Sequence, residues 1–112
     1  MSDSNSKHLY DRAVKRLPGG VNSPVRAYQA VGRTPRFIQS AKGAHITDVD
    51  GNEMIDYVCS WGPGILGHAD PRVVEQVKKA CDEGLTYGAP TEREVEMAEL
   101  LAELVPSMEV SR

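Results

Sequence analysis

The sequence predicts an α+β fold, with an N-terminal helix, a small antiparallel three-strand meander and two further helices. Three observations predict it. Apolar residues alternate with polar ones between Arg36 and Val58, which is the period of half-buried strands. Before and after that stretch they recur every three or four positions, which is the period of amphipathic helices. Between these patterns lie two runs so rich in glycine and proline that neither supports a helix or a central strand.

Taken in order, residues 1 to 5 are small and polar and are expected to fray. Leu9, Ala13, Val14 and Leu17 then mark one helical face until Pro18 ends it. Pro18-Gly19-Gly20-Val21-Asn22-Ser23-Pro24 is an irregular loop. The meander follows as Arg36-Phe37-Ile38, a turn at Ala41-Lys42-Gly43, a second strand through Ala44, Ile46 and Asp48, the Asp50-Gly51 turn, and Glu53-Met54-Ile55-Asp56-Tyr57-Val58. A second irregular loop runs from Ser60 to Ala69. Asp70-Pro71 starts a helix, with the carboxylate as N-cap and proline where its missing N–H costs nothing. That helix carries Val73, Val74, Val77, Ala80 and Cys81 on one face and stops at Gly84. Thr91-Glu92-Arg93-Glu94 reads as a capping box opening the last helix, which ends at Pro106. Met97, Leu100 and Leu104 add to Val95, Ala98, Leu101, Ala102 and Val105, so its apolar surface wraps more than one face and requires neighbours.

Composition removes several classes of function. The 112 residues carry a net charge of −3 with both signs interspersed, so electrostatic binding to nucleic acid or to a lipid surface is not expected. No apolar run is long enough to cross a membrane and the polar N-terminus does not read as a secretory signal, so a cytoplasmic location is expected. Cys59 and Cys81 lack metal or redox spacing and read as reduced core thiols. His8, His45 and His68 are too scattered to form a zinc site.

Two motifs have dull readings that win. Gly62-Pro63-Gly64-Ile65-Leu66-Gly67 matches a dinucleotide fingerprint, but the next helix begins only at Pro71 and Pro63 lacks an amide for a phosphate. Asp48-Val49-Asp50-Gly51-Asn52 opens like a calcium loop, yet Glu53 and Cys59 stand where glycine and glutamate are needed. It reads as a hairpin whose Asp and Asn bond their own backbone. No serine-hydrolase elbow occurs.

The two irregular loops gather groups that a plain linker does not need. Asn22, Ser23 and Arg26 stand beside Gly19-Gly20, and Trp61, the single tryptophan, stands between Ser60 and Gly62-Pro63. A guanidinium fork with a hydroxyl can grip a carboxylate, and an indole can wall a flat ligand. Together they outline a subsite for a small anion. Glycine-rich loops bearing an Arg and a Trp also occur as packing corners.

The run Pro18-Gly19-Gly20-Val21-Asn22-Ser23-Pro24-Val25-Arg26-Ala27 resembles the signature of the glutamate-1-semialdehyde 2,1-aminomutases, pyridoxal-phosphate enzymes of the class-III aminotransferase group. Asp48-Val49-Asp50-Gly51, Ile55-Asp56-Tyr57-Val58, Ser60-Trp61-Gly62-Pro63, Leu66-Gly67-His68 and Gly88-Ala89-Pro90-Thr91-Glu92 resemble it in the same order. The pattern departs where Cys59 replaces glycine, Gly64 replaces methionine and Arg33 replaces glycine, which implies a mildly altered loop around Trp61.

The resemblance implies the N-terminal region, residues 1–112, of a fold-type I pyridoxal-phosphate-dependent transferase without its large α/β cofactor domain. It further implies an isomerase of tetrapyrrole (porphyrin) biosynthesis that converts glutamate 1-semialdehyde to 5-aminolevulinate, cytoplasmic and homodimeric when complete. Ser23, Val25 and Arg26 would hold the substrate, with Arg26 as carboxylate clamp, and Trp61 would line the pocket. No catalytic, cofactor-binding or metal-binding residue is assigned. None of Lys7, Lys15, Lys42, Lys78 and Lys79 corresponds to the Schiff-base lysine, so the chain alone is expected to be inactive and not to bind pyridoxal 5′-phosphate. The alternatives are a non-catalytic binding or dimerisation module, whose cue is the all-round apolar last helix, and part of another class-III aminotransferase.

Overall fold

A computed structural model describes residues 2–112. The alternating stretch folds into a three-stranded antiparallel sheet in sequential order, β1 (Ile38–Lys42), β2 (His45–Asp48) and β3 (Glu53–Ile55). Lys42 pairs with His45, so the first turn falls at Gly43 and Ala44, about two residues later than predicted. Gly43, at φ +56°, makes the tight turn possible there. A bulge between Ile38 and Ser40 shifts the register of β1. The second turn lies at Asp50 and Gly51 as expected, with the Gly51 N–H donating to Asp48 O.

The hairpin loop organises the first half of the chain. Asp48 is fully buried, and its Oδ1 accepts from the backbone N–H of Asp50 (3.0 Å) and Asn52 (2.8 Å). That bears out the predicted turn chemistry for Asp48, whereas the Asn52 side chain donates to the Asp48 carboxylate and to Ser2 O (2.7 Å) rather than to the backbone of its own turn. Its Oδ2 additionally pairs with Arg36 Nη1 at 2.5 Å. Asp50 reaches across to the N-terminal helix α1 (Ser4–Ala13), where its carboxylate accepts from the backbone N–H of Asn5 (2.8 Å) and Ser6 (3.0 Å). Residues 4 and 5 are therefore helical rather than frayed, because a carboxylate 45 residues away satisfies the amides that a helix start leaves open.

α1 ends at Ala13, earlier than its apolar spacing suggests, and short turns follow. Tyr10 lies over buried Gly20, where an added Cβ would sit 2.6 Å from the ring. The first loop is three consecutive 3₁₀ turns, Pro18–Gly20, Pro24–Ala27 and Gln29–Val31. Its prolines supply the fixed φ of a turn start.

The chain divides into two compact units, one up to Glu75 and one from Gln76 to Arg112. α2 (Pro71–Glu83) starts as predicted, with Asp70 Oδ1 accepting from Arg72 N–H at 2.9 Å. It stops at Gly84, which takes φ +105°. α3 (Glu92–Leu104) has Thr91 at its N-cap position, but no Thr91 side-chain cap bond forms and the predicted capping box is absent. Thr91 caps through its carbonyl instead, which accepts from Glu94 N–H at 3.2 Å. Val95, Met97, Leu100 and Leu104 are exposed while Ala98 and Leu101 are half-buried, so much of the apolar surface of α3 is uncovered by the described residues. Cys59 and Cys81 are free thiols, but both are exposed rather than in a core. Cys59 sits on a projecting turn, and the face of α2 that bears Cys81 contains no buried residue.

Candidate functional site

Ser23 and Arg26 are brought together by the second 3₁₀ turn. Proline at 24 holds Ser23 in extended backbone, φ −134°, and Arg26 N–H donates to Ser23 O at 2.9 Å to close the turn. Ala27, only 6% exposed, pins the turn to the body of the unit. Val25 and Arg26 consequently face outwards. Val25 lines an open apolar groove of about 630 Å³ with Pro24, Tyr28 and Val31. The Arg26 guanidinium makes no hydrogen bond or ion pair with any described residue, so its fork of donors is unspent.

Trp61 is presented on a different kind of turn. Cys59, Ser60 and Trp61 have φ of +49°, +54° and +65°, three successive non-glycine residues in the left-handed region, and Gly62 follows at +118°. Each such residue costs roughly 1 kcal/mol or more, and strain of this kind concentrates where a side chain must be aimed. The turn is closed by Trp61 N–H to Val58 O and by Gly62 N–H and Gly64 N–H to Cys59 O, each at 3.0 Å. The indole is 70% exposed.

The glycines of the apparent dinucleotide fingerprint have packing reasons. A Cβ on Gly64 would lie 2.9 Å from the Cys59 carbonyl oxygen, and one on Gly67 would lie 2.8 Å from that of Gly43. They permit backbone to approach backbone.

Asp56 and His68 lie beside the Trp61 turn, and neither is singled out by the sequence. Asp56 Oδ2 lies 2.6 Å from His68 Nε2, while its Oδ1 accepts from the N–H groups of Val58 (2.9 Å) and Cys59 (3.2 Å). The His68 hydrogen bond, followed by that of Val58, lowers the Asp56 pKa below the ordinary carboxylate value despite partial burial. An Asp two residues before a turn is an Asx-turn signal. Nothing local announces that a histidine twelve residues on will pair with it. A depression of about 370 Å³ lies here, lined by Asp56, Cys59, Gly64 and His68 among others.

No hydrogen bond or ion pair among the described residues joins the 23–26 turn to Trp61, although both lie in the first unit. All five lysines are exposed: Lys7 on α1, Lys15 in the turn after it, Lys42 at a strand end, and Lys78 and Lys79 on α2. No group of three or more potential metal ligands exists among the described residues, and no described helix is long and apolar enough to cross a membrane.

Residues 28–112 match the family model for class-III aminotransferases. The chain belongs to that family. It is also 63% identical over all 112 residues to a glutamate-1-semialdehyde 2,1-aminomutase from Acetivibrio thermocellus, of which it covers 26%. A protein of the same name from Polaromonas naphthalenivorans is 62% identical over 109 residues, which are 97% of this chain and 25% of that protein. Among solved structures, an omega-transaminase from Sphaerobacter thermophilus superposes with a TM-score of 0.86 at 38% identity, over 96% of this chain and 24% of that one. A glutamate-1-semialdehyde-aminomutase from Pseudomonas aeruginosa PAO1 gives 0.79 at 26% identity, over 88% and 22%. This class-III aminotransferase chain thus spans about a quarter of the length of the relatives it matches. The region matched by the family model includes Trp61 and the Asp56–His68 pair, whereas Ser23, Val25 and Arg26 precede it and lie within the 112 residues over which the Acetivibrio thermocellus aminomutase aligns.

Proposed function

We propose that residues 1–112 form the substrate-side portion of a glutamate-1-semialdehyde 2,1-aminomutase, which converts glutamate 1-semialdehyde to 5-aminolevulinate for tetrapyrrole synthesis in the cytoplasm. The observation that carries this reading is the 63% identity to the Acetivibrio thermocellus aminomutase, because that match includes residues 18–27, which the general family model leaves out. Arg26 supplies a bidentate donor for the substrate carboxylate, and its guanidinium is held outward with no partner among the described residues to give up. Ser23 offers a hydroxyl at the other end of the same turn, Val25 an apolar contact, and Trp61 a flat wall. The ligand class is a small amino-acid aldehyde with a free carboxylate.

Pyridoxal 5′-phosphate belongs to the complete enzyme in this reading, a homodimer. One structurally similar transaminase has it bound. The residues of this chain do not fit the group by themselves. An internal aldimine requires a lysine whose ammonium is destabilised by burial, and every lysine here is solvent-exposed. No step of the reaction is assigned to these residues beyond binding and orienting the substrate.

The test is a chimera in which residues 1–112 replace the matching segment of the Acetivibrio thermocellus aminomutase. It should form 5-aminolevulinate, and Arg26→Ala within it should raise KM by at least about tenfold, the loss expected for a charge-assisted bidentate contact. A soluble, cofactor-loaded chimera without activity, or an Arg26→Ala variant with unchanged KM, overturns the proposal.

A further inference from the structure

We infer that Asp56 and His68 are positioning residues, whose 2.6 Å side-chain hydrogen bond holds the left-handed turn Cys59–Trp61 in the geometry that presents the Trp61 indole to substrate. The inference rests on the reading of Trp61 as a pocket wall and adds what keeps that wall in place. Three consecutive left-handed residues do not persist without support, since relaxation to ordinary backbone is downhill. Packing does not supply the support: Val58 is 54% exposed, Trp61 70%, and Cys59 and Ser60 are exposed as well. The bonds internal to the turn close it but do not tie it to the sheet.

Asp56 makes that tie. Its Oδ1 takes the two amides that enter the turn, Val58 and Cys59, while its Oδ2 is held by His68. Both residues are anchored in turn to the β1–β2 connection. Asp56 N–H donates to Ala44 O at 2.9 Å, and His68 exchanges two 2.8 Å backbone bonds with Gly43. One carboxylate therefore links the end of β3, the start of the strained turn and the returning loop. With both oxygens engaged, it has little freedom to rotate and release the amides.

Trp61 is the single tryptophan of the chain, so time-resolved fluorescence anisotropy of the 112-residue protein reads this side chain alone. Asp56→Ala and His68→Ala are expected to enlarge the share of anisotropy lost to nanosecond local motion. Asp56→Asn, which keeps an oxygen for the Val58 and Cys59 amides, should restore most of it, and His68→Gln, which keeps an N–H donor, should do likewise. In the chimera, Asp56→Ala should raise KM by about tenfold and leave kcat within about threefold. Unchanged indole motion in both alanine variants, with parental circular dichroism, overturns the inference. If Asp56→Ala unfolds the chain, the His68 variants decide, and equal motion in His68→Ala and His68→Gln overturns it. A freed indole combined with a Trp61→Ala chimera of normal KM would sink the pocket-wall reading while leaving the brace established.

Discussion

Arg36 and Asp48 form an ion pair at the heart of the first unit, Nη1 to Oδ2 at 2.5 Å, with the carboxylate wholly removed from solvent. Burial alone would push the Asp48 carboxyl up. The side chain and backbone of Asn52, the Arg36 guanidinium and the Asp50 amide outweigh it and bring the pKa down to about 2 from 3.8. The shifts of Asp50 and Asp56 point the same way.

A carboxylate whose folded pKa lies below its unfolded value stabilises the fold above the unfolded value and ceases to do so as pH falls through the folded one. Stability should therefore be flat above about pH 5 and fall steeply between 3.8 and about 2. Urea midpoints measured across this range check it. An Asp48→Asn variant should show a flatter acid limb and a lower midpoint at neutral pH.

Removing the distant cap from α1 should loosen that helix without dissolving the sheet. Asp50→Ala leaves the Asn5 and Ser6 amides without their acceptor and should lower Tm by roughly 5 °C. Amide exchange at residues 5 and 6 should rise, whereas exchange at Ile46 and Met54 in the sheet should change little.

The two glycines of the Gly43–His68 bridge region should respond differently to alanine. Gly67→Ala adds a Cβ 2.8 Å from a backbone carbonyl at φ +77°, so backbone must move, and a loss of about 2 kcal/mol or more is expected. Gly43→Ala meets nothing within 4 Å and has only its φ of +56° to tolerate, a cost of about 1 kcal/mol. Chemical denaturation of the pair gives the comparison directly.

Both thiols should react in the native protein. Cys59 and Cys81 are exposed, so a thiol reagent should modify two groups per chain without denaturant. Cys59→Gly should leave stability unchanged or raise it by up to about 1 kcal/mol, because glycine adopts φ +49° without steric cost.

The elements whose signals are local were legible in advance. The alternation of Ile46 and Met54 with polar neighbours produced the meander, Asp70-Pro71 started α2 with the anticipated cap, and Gly84 ended it. Local signals misled where a competing local option existed. The Thr91 hydroxyl could cap α3 but leaves the role to its carbonyl. The turn predicted at Ala41-Lys42-Gly43 formed at Gly43 and Ala44, since pairing of Lys42 with His45 gains more ladder than an earlier turn allows. The cysteines lie outside the core that their residue type suggests, because residue type describes average burial and neither the Cys59 turn nor the α2 face has a covering layer among the described residues.

Periodicity, caps, turn residues and the run from Pro18 to Ala27 are properties of short windows, and they determined the α+β class, the order of elements and the candidates Ser23, Val25, Arg26 and Trp61. The tertiary structure alone decided that Asp50 caps a helix 45 residues away, that Asp48 is buried against Arg36, and that Asp56 meets His68 at the start of three left-handed residues. The reason is that an isolated carboxylate is satisfied by water anywhere along the chain. Which donors replace that water depends on which backbone amides the closed hairpin and its neighbouring loops bring within about 3 Å of it.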